Sequence, residues 1–242
     1  MIDRVFECGF EVLKKIQKTQ VKQIDEAAKM IAEVFINDNT FYVSGSGHSH
    51  TVAEEFYARA GGLAFVVPIL TTELTLNEHP TKSSYLERLS GYAKILVDLY
   101  KVSENDVVLI ASNSGRNAYP IELALESKNK GAKVIAITSV QHSNATASRH
   151  SSGKHLLDIA DIVIDNCGVL GDSAIHLDGL ESAMCPTSSM ANAFIVQAIS
   201  TQCAAYILKK GITPPVFVSL NCEGSENLNH EYFEKYTRIY KK

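Results

Sequence analysis

The chain has 242 residues, of which 45% are hydrophobic and 21% charged, and a formal net charge of −4 at pH 7. This length and composition favour one soluble α/β domain that buries its core without disulfides or structural metals. The charge excludes a strongly basic surface, so we expect neither nucleic acid nor a membrane as a partner.

Cysteine spacing and the charged N-terminus bear on the location of the protein. The five cysteines include no C-x-x-C pair, and an odd number fits poorly with a disulfide framework. Charges interrupt the N-terminal residues, and no stretch approaches the roughly 18 apolar residues of a membrane span. We therefore expect no signal peptide and no spanning segment, and a cytoplasmic protein with reduced thiols.

Residues 1–38 are predicted to form a helical region. Apolar residues recur at helical spacing from Val5 to Ile16 and from Ile24 to Phe35, and Asn37-Asp38-Asn39 ends the pattern. These helices either cover their own sheet or pack on a neighbouring subunit, and the sequence favours neither arrangement. Because the second stripe offers more apolar surface than one small domain covers, we expect a homodimer or higher homo-oligomer.

Short apolar strands then alternate with helices, which indicates parallel βαβ units. Strands are predicted at Thr40–Val43, Ala64–Leu70, Val107–Ala111, Lys133–Thr138, Ile162–Asp165 and Val216–Ser219, and helices at Thr51–Ala60, Tyr92–Tyr100, Tyr119–Lys130 and Pro186–Leu208. The expected fold is a three-layer αβα sandwich on a five-stranded, mainly parallel sheet of flavodoxin or Rossmann type. We expect one domain over residues 1–242, with this core at 39–220 and a C-terminal tail at 221–242.

Ligands of such sheets bind beyond the carboxyl ends of the strands, and Ser- and Gly-rich turns stand there in this sequence. The turns are Ser44-Gly45-Ser46-Gly47-His48-Ser49, Ser112-Asn113-Ser114-Gly115-Arg116-Asn117, Thr138-Ser139 and Pro186-Thr187-Ser188-Ser189. Glycines let the backbone approach an anion, serines donate hydrogen bonds, and Arg116 adds a cation. The first turn is no Walker A loop, since no G-K-[ST] follows, and helix capping alone explains the last turn equally well.

Together these turns resemble the motifs of the SIS (sugar isomerase) family. The family pattern G-x-G-x-S is matched at Gly45–Ser49, S-x-S-G at Ser112–Gly115, and the strand motif that follows at Gly131–Thr138. The resemblance spans about residues 30 to 210 and is strongest to stand-alone SIS domains, which are related to phosphoheptose isomerases and arabinose-5-phosphate isomerases.

The resemblance implies an SIS fold that binds a phosphorylated sugar, in an assembly where a neighbour closes each pocket. No cofactor is expected, because the carbonyl of the substrate already makes the neighbouring proton acidic, and no histidine spacing indicates a metal site. The implied phosphosugar-binding residues are Ser44, Gly45, Ser46, Gly47, Ser49, Ser112, Asn113, Ser114, Gly115, Arg116, Thr138, Ser139, Thr187, Ser188 and Ser189. Phosphoheptose isomerases use a glutamate and a metal-binding histidine where this chain has Arg59 and Glu55, and their late catalytic histidine has no clear equivalent. Their chemistry therefore does not transfer residue by residue.

The residues themselves offer other candidates for proton transfer. Glu55 is the first and Glu54 the second, because a carboxylate one turn into a helix leans back toward its N-terminus, where a ligand would lie. The histidines His48, His50 and His79 are candidate partners, each of which could instead bond only to backbone.

Three functions remain open from the sequence. The first is an aldose–ketose isomerase acting on a sugar phosphate without cofactor. The second is a non-catalytic sugar-phosphate sensor, which would need a protein partner because no DNA-binding segment is evident. The third is an amino-sugar phosphate lyase or deaminase.

Overall fold

A computed structural model describes residues 1–79, 81–223 and 225–236 of the protein. Its main sheet contains β1 (Phe41–Gly45), β2 (Val66–Ile69), β3 (Val107–Ala111), β4 (Lys133–Thr138) and β5 (Ile162–Asp165), all parallel, in the order β2-β1-β3-β4-β5. This is the flavodoxin-like order, and it confirms the predicted fold class. The central strands β1 and β3 are buried on both faces, as their continuous apolar sequences predict.

Helices cover both faces of the sheet. They are α1 (Ile2–Thr19), α2 (Val21–Ile36), α3 (Thr51–Phe56), α4 (Lys82–Leu86), α5 (Tyr92–Leu99), α6 (Ala118–Asn129), α7 (Val140–Asn144), α8 (Thr187–Lys209) and α9 (Ser225–Tyr236). Residues of α1, α2, α3 and α8 form one apolar core with the sheet, and residues of α5 and α6 form the other. The sheet thus separates two helical layers, as expected for an αβα sandwich.

Helix α8 is long and apolar enough to cross a membrane by length and composition, which the sequence analysis did not anticipate. In the structure it packs against α2 and contributes Ile195, Ile199, Cys203 and Ile207 to the core. A helix in the core of a protein can have the same length and apolar composition as a membrane span. This packing accounts for the apolar residues on the buried face of α8.

Several boundaries differ from the sequence prediction. The helix that was expected to reach residue 60 ends at Phe56, because Tyr57 is extended and Ala58 adopts a positive φ of 51°. The predicted strand Val216–Ser219 does not form, and Val216 makes a single antiparallel bridge to Leu63. A short antiparallel hairpin of β6 (Ser173–Ile175) and β7 (Met184–Pro186) was not predicted.

The C-terminal tail contributes a helix to the fold. Asn229 of α9 accepts a hydrogen bond from the Val218 amide and donates one to its carbonyl, and Phe217 packs against Phe233. The prediction of a tail at 221–242 also includes residues 224 and 237–242, which lie outside the described residues.

An apolar groove of about 1020 Å³ lies between α1, α2 and α8. Phe10, Leu13, Val21 and Phe194 line it, and the side chains of Phe10 and Phe194 are 57% and 60% exposed. The N-terminal helices therefore cover their own sheet, which is one of the two arrangements that the sequence left open. They bury one face on their own core and leave the other face apolar and exposed.

Candidate functional site between the first and third strands

The loop after β1 is held in a tight turn by its glycines. Gly45 ends β1, and residues Gly47–His50 form a 3₁₀ turn that leads directly into α3. A Cβ atom on Gly45 would lie 2.3 Å from the carbonyl oxygen of Ser49, so only glycine fits there. Gly47 adopts a φ of 55°, in the left-handed region that favours glycine.

The loop after β3 is anchored by hydrogen bonds to its neighbours. Ser112 Oγ accepts a bond from the Gly115 amide at 3.2 Å, and the Asn113 carbonyl accepts bonds from the Ser139 amide and Thr138 Oγ1. The Gly115 carbonyl accepts the Leu156 amide at 2.8 Å. These bonds fix the backbone at the N-terminus of α6.

Glu87 joins these two loops. Ser46 Oγ donates a hydrogen bond of 2.7 Å to Glu87 Oε2, and Asn117 Nδ2 donates one of 2.7 Å to Glu87 Oε1. The Glu87 carbonyl also accepts the Tyr119 amide from the first turn of α6 at 2.9 Å. Because β1 and β3 are adjacent and their connections leave on opposite sides, this carboxyl group stands at the switch point of the sheet, where ligands of such folds bind.

The environment of Glu87 changes its proton affinity. Burial raises the pKa of the Glu87 carboxyl above its ordinary value, while the hydrogen bond from Ser46 and the positive charges of Arg88 and Arg149 act in the opposite direction. A carboxyl group with a raised pKa gives up and takes back a proton more readily near neutral pH. Glu87 is therefore suited to proton transfer.

Sequence reasoning did not single out Glu87. It follows the irregular stretch after the second strand and belongs to none of the recognised motifs, so neither spacing nor residue type pointed to it. The one available signal was position, because loops that follow strands of a parallel sheet meet at one edge.

Arginines lie beside this carboxyl group. Arg149 Nη1 donates to Asn117 Oδ1 at 3.2 Å, and the Arg149 amide donates to the Arg116 carbonyl at 2.8 Å. Arg116 Nε is buried and has no hydrogen-bond partner among the described residues. The site thus combines one carboxyl group with guanidinium groups.

Several predicted phosphosugar-binding residues instead support the loops. The Ser44 hydroxyl is buried between the Ile69 carbonyl and the Tyr119 hydroxyl. Thr138 and Ser139 are fully buried, and Ser139 Oγ donates to the Gly168 carbonyl. Asn113 Oδ1 accepts a bond from Asn166, so this side chain is also engaged inside the protein.

Ser49 and Ser114 keep part of their surface accessible. Together with Ser46 and Ser112, they are polar residues that the two loops bring to one edge of the sheet.

The start of α8 is capped from within the chain. Asp172 Oδ1 accepts bonds from the Thr187 and Ser188 amides, and Asp172 Oδ2 accepts one from Ser188 Oγ at 2.7 Å. Ser189 is exposed. The carboxylate of Asp172 takes the position that an anion would occupy at this helix terminus, in keeping with the capping explanation.

The carboxylates proposed from the sequence are engaged elsewhere. Glu55 of α3 pairs with Arg59, which follows the end of the helix, and accepts a bond of 2.6 Å from Gln197 on α8. Glu54 is half exposed and lies 3.2 Å from His50 Nε2, while the other ring nitrogen of His50 contacts the Gly47 carbonyl.

The remaining two candidates are histidines on the surface. His48 is exposed, and the exposed His79 bonds to the Thr81 hydroxyl at 3.1 Å. Within the described ranges, no group of three or more His, Cys, Asp or Glu side chains is arranged to hold a metal ion.

Comparison with known proteins identifies the family. The model of the SIS domain matches residues 7–139, more than half of the chain. The protein belongs to the SIS domain family. A UPF0309 protein from Halalkalibacterium halodurans is 44% identical over 233 residues, 96% of each chain. Another from Thermoanaerobacter pseudethanolicus is 47% identical over 241 residues, 98% of this chain and 96% of its own.

Solved structures show the same SIS fold at low sequence identity. The phosphoheptose isomerase of Neisseria gonorrhoeae gives a TM-score of 0.54 at 18% identity, covering 85% of this chain and 96% of its own. That of Francisella tularensis gives 0.52 at 18% identity, covering 84% and 95%. An Escherichia coli protein in complex with a sugar-phosphate ligand gives 0.50 at 16% identity, covering 88% and 90%.

The close approach at Gly45 gives a test of the first loop. Gly45→Ala would place a methyl group against the Ser49 carbonyl, and overpacking of this kind costs about 1–3 kcal/mol of unfolding free energy. Urea unfolding would measure this loss. Gly9→Ala is the matched control, because its Cβ would meet only the flexible Met190 side chain at 3.4 Å and alanine favours a helix. Equal stability of the two variants would contradict the role of Gly45.

Proposed function

We propose that the protein binds a phosphorylated sugar where β1 and β3 end and interconverts its aldose and ketose forms. The observation that carries the proposal is the Glu87 carboxyl group, partly buried between the two Ser- and Gly-rich loops and hydrogen-bonded to both. Membership of the SIS family and the likeness of the fold to phosphoheptose isomerases support it.

The phosphate is proposed to lie at the N-terminus of α6. The positive end of the α6 dipole favours an anion there. The accessible hydroxyls of Ser49 and Ser114 add neutral donors, and Arg116 adds a guanidinium group. A sugar held in this way extends past Ser46 toward Glu87.

Glu87 is proposed to move the proton between C1 and C2. The ionised carboxylate takes the proton from the carbon next to the carbonyl, and the electron pair of that C–H bond forms the enediol as the carbonyl oxygen takes a proton from solvent water. The acid form then returns its proton to the neighbouring carbon, and the second hydroxyl gives its proton back to solvent as the new carbonyl forms. Atoms and electrons balance without a redox partner, and the raised pKa favours the return step.

Replacing Glu87 tests the assignment of the base. Glu87→Gln keeps the shape of the side chain and removes the base, so turnover should fall about 100-fold or more, while sugar-phosphate binding is retained. The assay is purified protein with pentose to heptose phosphates, with binding measured by calorimetry. Glu55→Gln is the comparison, because Glu55 is engaged by Arg59 and Gln197 and should keep its activity.

The outcomes of this assay separate the alternatives. If Glu55→Gln lost turnover while Glu87→Gln stayed active, the catalytic base would be Glu55, the first candidate from the sequence. Binding by the wild-type protein without any turnover would make the chain a sugar-phosphate sensor. Release of ammonia or of an ether-linked acid from an amino-sugar phosphate would indicate the deaminase or lyase alternative.

The pH dependence of catalysis gives an independent test. A base must be deprotonated to act, and burial raises the pKa of Glu87, so kcat/KM should fall on acidification at a higher pH than an ordinary carboxylate would give. Arg149→Ala removes a positive charge that lowers the pKa of Glu87. The fall of kcat/KM on acidification, the acid limb of the pH profile, should therefore move to still higher pH. Lys133→Ala, at the opposite end of the sheet, is the control and should leave the limb in place. A downward shift in Arg149→Ala would contradict the assignment.

We also propose that a second copy of the chain covers the apolar groove between α1, α2 and α8, giving the homodimer or higher assembly expected from the sequence. Phe10→Glu and Phe194→Glu would each place a charge on this face, so light scattering at micromolar concentration should show them as monomers where the wild type is a dimer. Tyr85→Glu, also on an exposed aromatic residue but outside the groove, should leave the assembly intact. A monomeric wild type would overturn the proposal.

A cytoplasmic location remains our proposal for where this function operates. All five cysteines are free, and two of them, Cys167 and Cys203, are buried. Burial raises the pKa of the Cys203 thiol to about 12, which keeps it protonated and unreactive. Free thiols of this kind are typical of proteins that work in a reducing compartment.

A further inference from the structure

Arg88 and Arg149 lie near Glu87, and Arg116 lies next to Arg149. Arg88 is the chain neighbour of Glu87 after α4, Arg116 belongs to the loop after β3, and Arg149 lies in the loop between α7 and the 3₁₀ turn at Leu156–Asp158. Arg149 reaches the carboxyl group through Asn117, which accepts a bond from Arg149 and donates one to Glu87. Arg88 and Arg149 are exposed, so both guanidinium groups are open to a ligand.

The fold holds the segments of Arg88 and Arg149 against the same helix. Glu122 of α6 accepts the Gly91 amide at 2.7 Å through Oε2, and its Oε1 lies 3.5 Å from His150 Nε2. Both of these side chains, Glu122 and His150, are largely buried. One carboxylate therefore ties down the turn that follows Arg88 and the residue next to Arg149, so the arrangement is built into the fold.

The charges of this group are not balanced within it. Loss of hydration and the positive charges of Arg116 and Arg88 lower the pKa of the Arg149 guanidinium, and Glu87 acts in the opposite direction. Glu87 is a single carboxyl group that burial inclines toward its neutral form, whereas Glu122 is already bonded to His150 and Gly91. Arg116 Nε is buried without a partner among the described residues. Like charges held this close favour an anion between them.

We propose that the ligand carries a second anionic group, a carboxylate or a second phosphate, which Arg88 and Arg149 bind beside Glu87. This inference rests on the proposed function, because it assumes that the first phosphate lies at the N-terminus of α6. Hydroxyl and amide donors of the loops serve that phosphate. Arg149 lies instead on the side of the carboxyl group, joined to it through Asn117, and so faces the reacting end of the sugar. Guanidinium groups match both carboxylate and phosphate in geometry.

Ligands that differ in one group test the proposal. Glucitol 6-phosphate and 6-phosphogluconate differ only at C1, which is a hydroxymethyl group in the first and a carboxylate in the second, and glucitol 1,6-bisphosphate places a phosphate there. Calorimetry should show that the wild-type protein binds one of the two doubly anionic ligands at least about ten-fold more tightly than glucitol 6-phosphate. The ligand with the larger gain in affinity over glucitol 6-phosphate identifies the second anionic group as carboxylate or phosphate.

Variants show which residues produce the preference. Arg88→Ala and Arg149→Ala should each remove most of this ten-fold preference and leave glucitol 6-phosphate binding within about two-fold, whereas Ser114→Ala should weaken all three ligands alike. Lys133→Ala controls for the loss of a positive charge far from the site. Equal losses for all three ligands in Arg149→Ala would show that the arginines serve the first phosphate and would overturn the inference, with the proposed function intact. If the wild-type protein bound none of the three, both proposals would fall.

Discussion

The hydrogen bonds that Ser46 and Asn117 donate to Glu87 hold the candidate site together. They join the loop that follows β1 to the loop that follows β3, in addition to the pairing of these two strands in the sheet. The carboxyl group gives both of its oxygens to neutral donors, which makes its burial tolerable without a direct ion pair. The raised pKa of Glu87 is the remaining electrostatic cost of that burial, and it is also the property that suits the group to proton transfer.

A buried network of asparagine side chains holds the loop after β3 in place. Asn166 is fully buried and donates to Asn113 in the loop after β3 and to Asn192 on α8, while its own oxygen accepts the Gly168 amide. Such a network is favourable only when each member has its partners, and here the amides are paired across three segments. It fixes the position of the loop that carries the proposed phosphate site. The polar residues of the loops thus have two roles: some are buried and hold the backbone, and others are the proposed ligand-binding groups.

Electrostatics then divide the site into two ends. Serine hydroxyls, the positive end of the α6 dipole and Arg116 lie where the phosphate is proposed to bind, whereas Arg88 and Arg149 lie beside Glu87. Neutral donors bind a phosphate without drawing the pKa of a nearby carboxyl group far downward, but arginines lower it. Burial raises the pKa of Glu87, and the charges of Arg88 and Arg149 lower it. An anion bound to these arginines would change the pKa of Glu87.

The sequence by itself determined the layers, the parallel strands and the positions of the two glycine-rich loops. These features depend on local patterns, because continuous apolar runs predict strands buried on both faces and glycines mark the turns that follow them. The strand at Val216–Ser219 could not be judged in this way, since its pairing depends on a distant partner, and there it makes an isolated bridge to Leu63.

Tertiary structure alone decided which polar residues meet. Ser44, Thr138 and Ser139 belong to motifs but are buried as supports, and Thr187 and Ser188 are capped by Asp172, which lies 15 and 16 residues before them in the chain. Glu87 belongs to no motif, yet it reaches Ser46 and Asn117, which are 41 and 30 residues away. Contacts over such separations follow from strand order and from how a loop folds back on the sheet, and neither is encoded in the local spacing of residues.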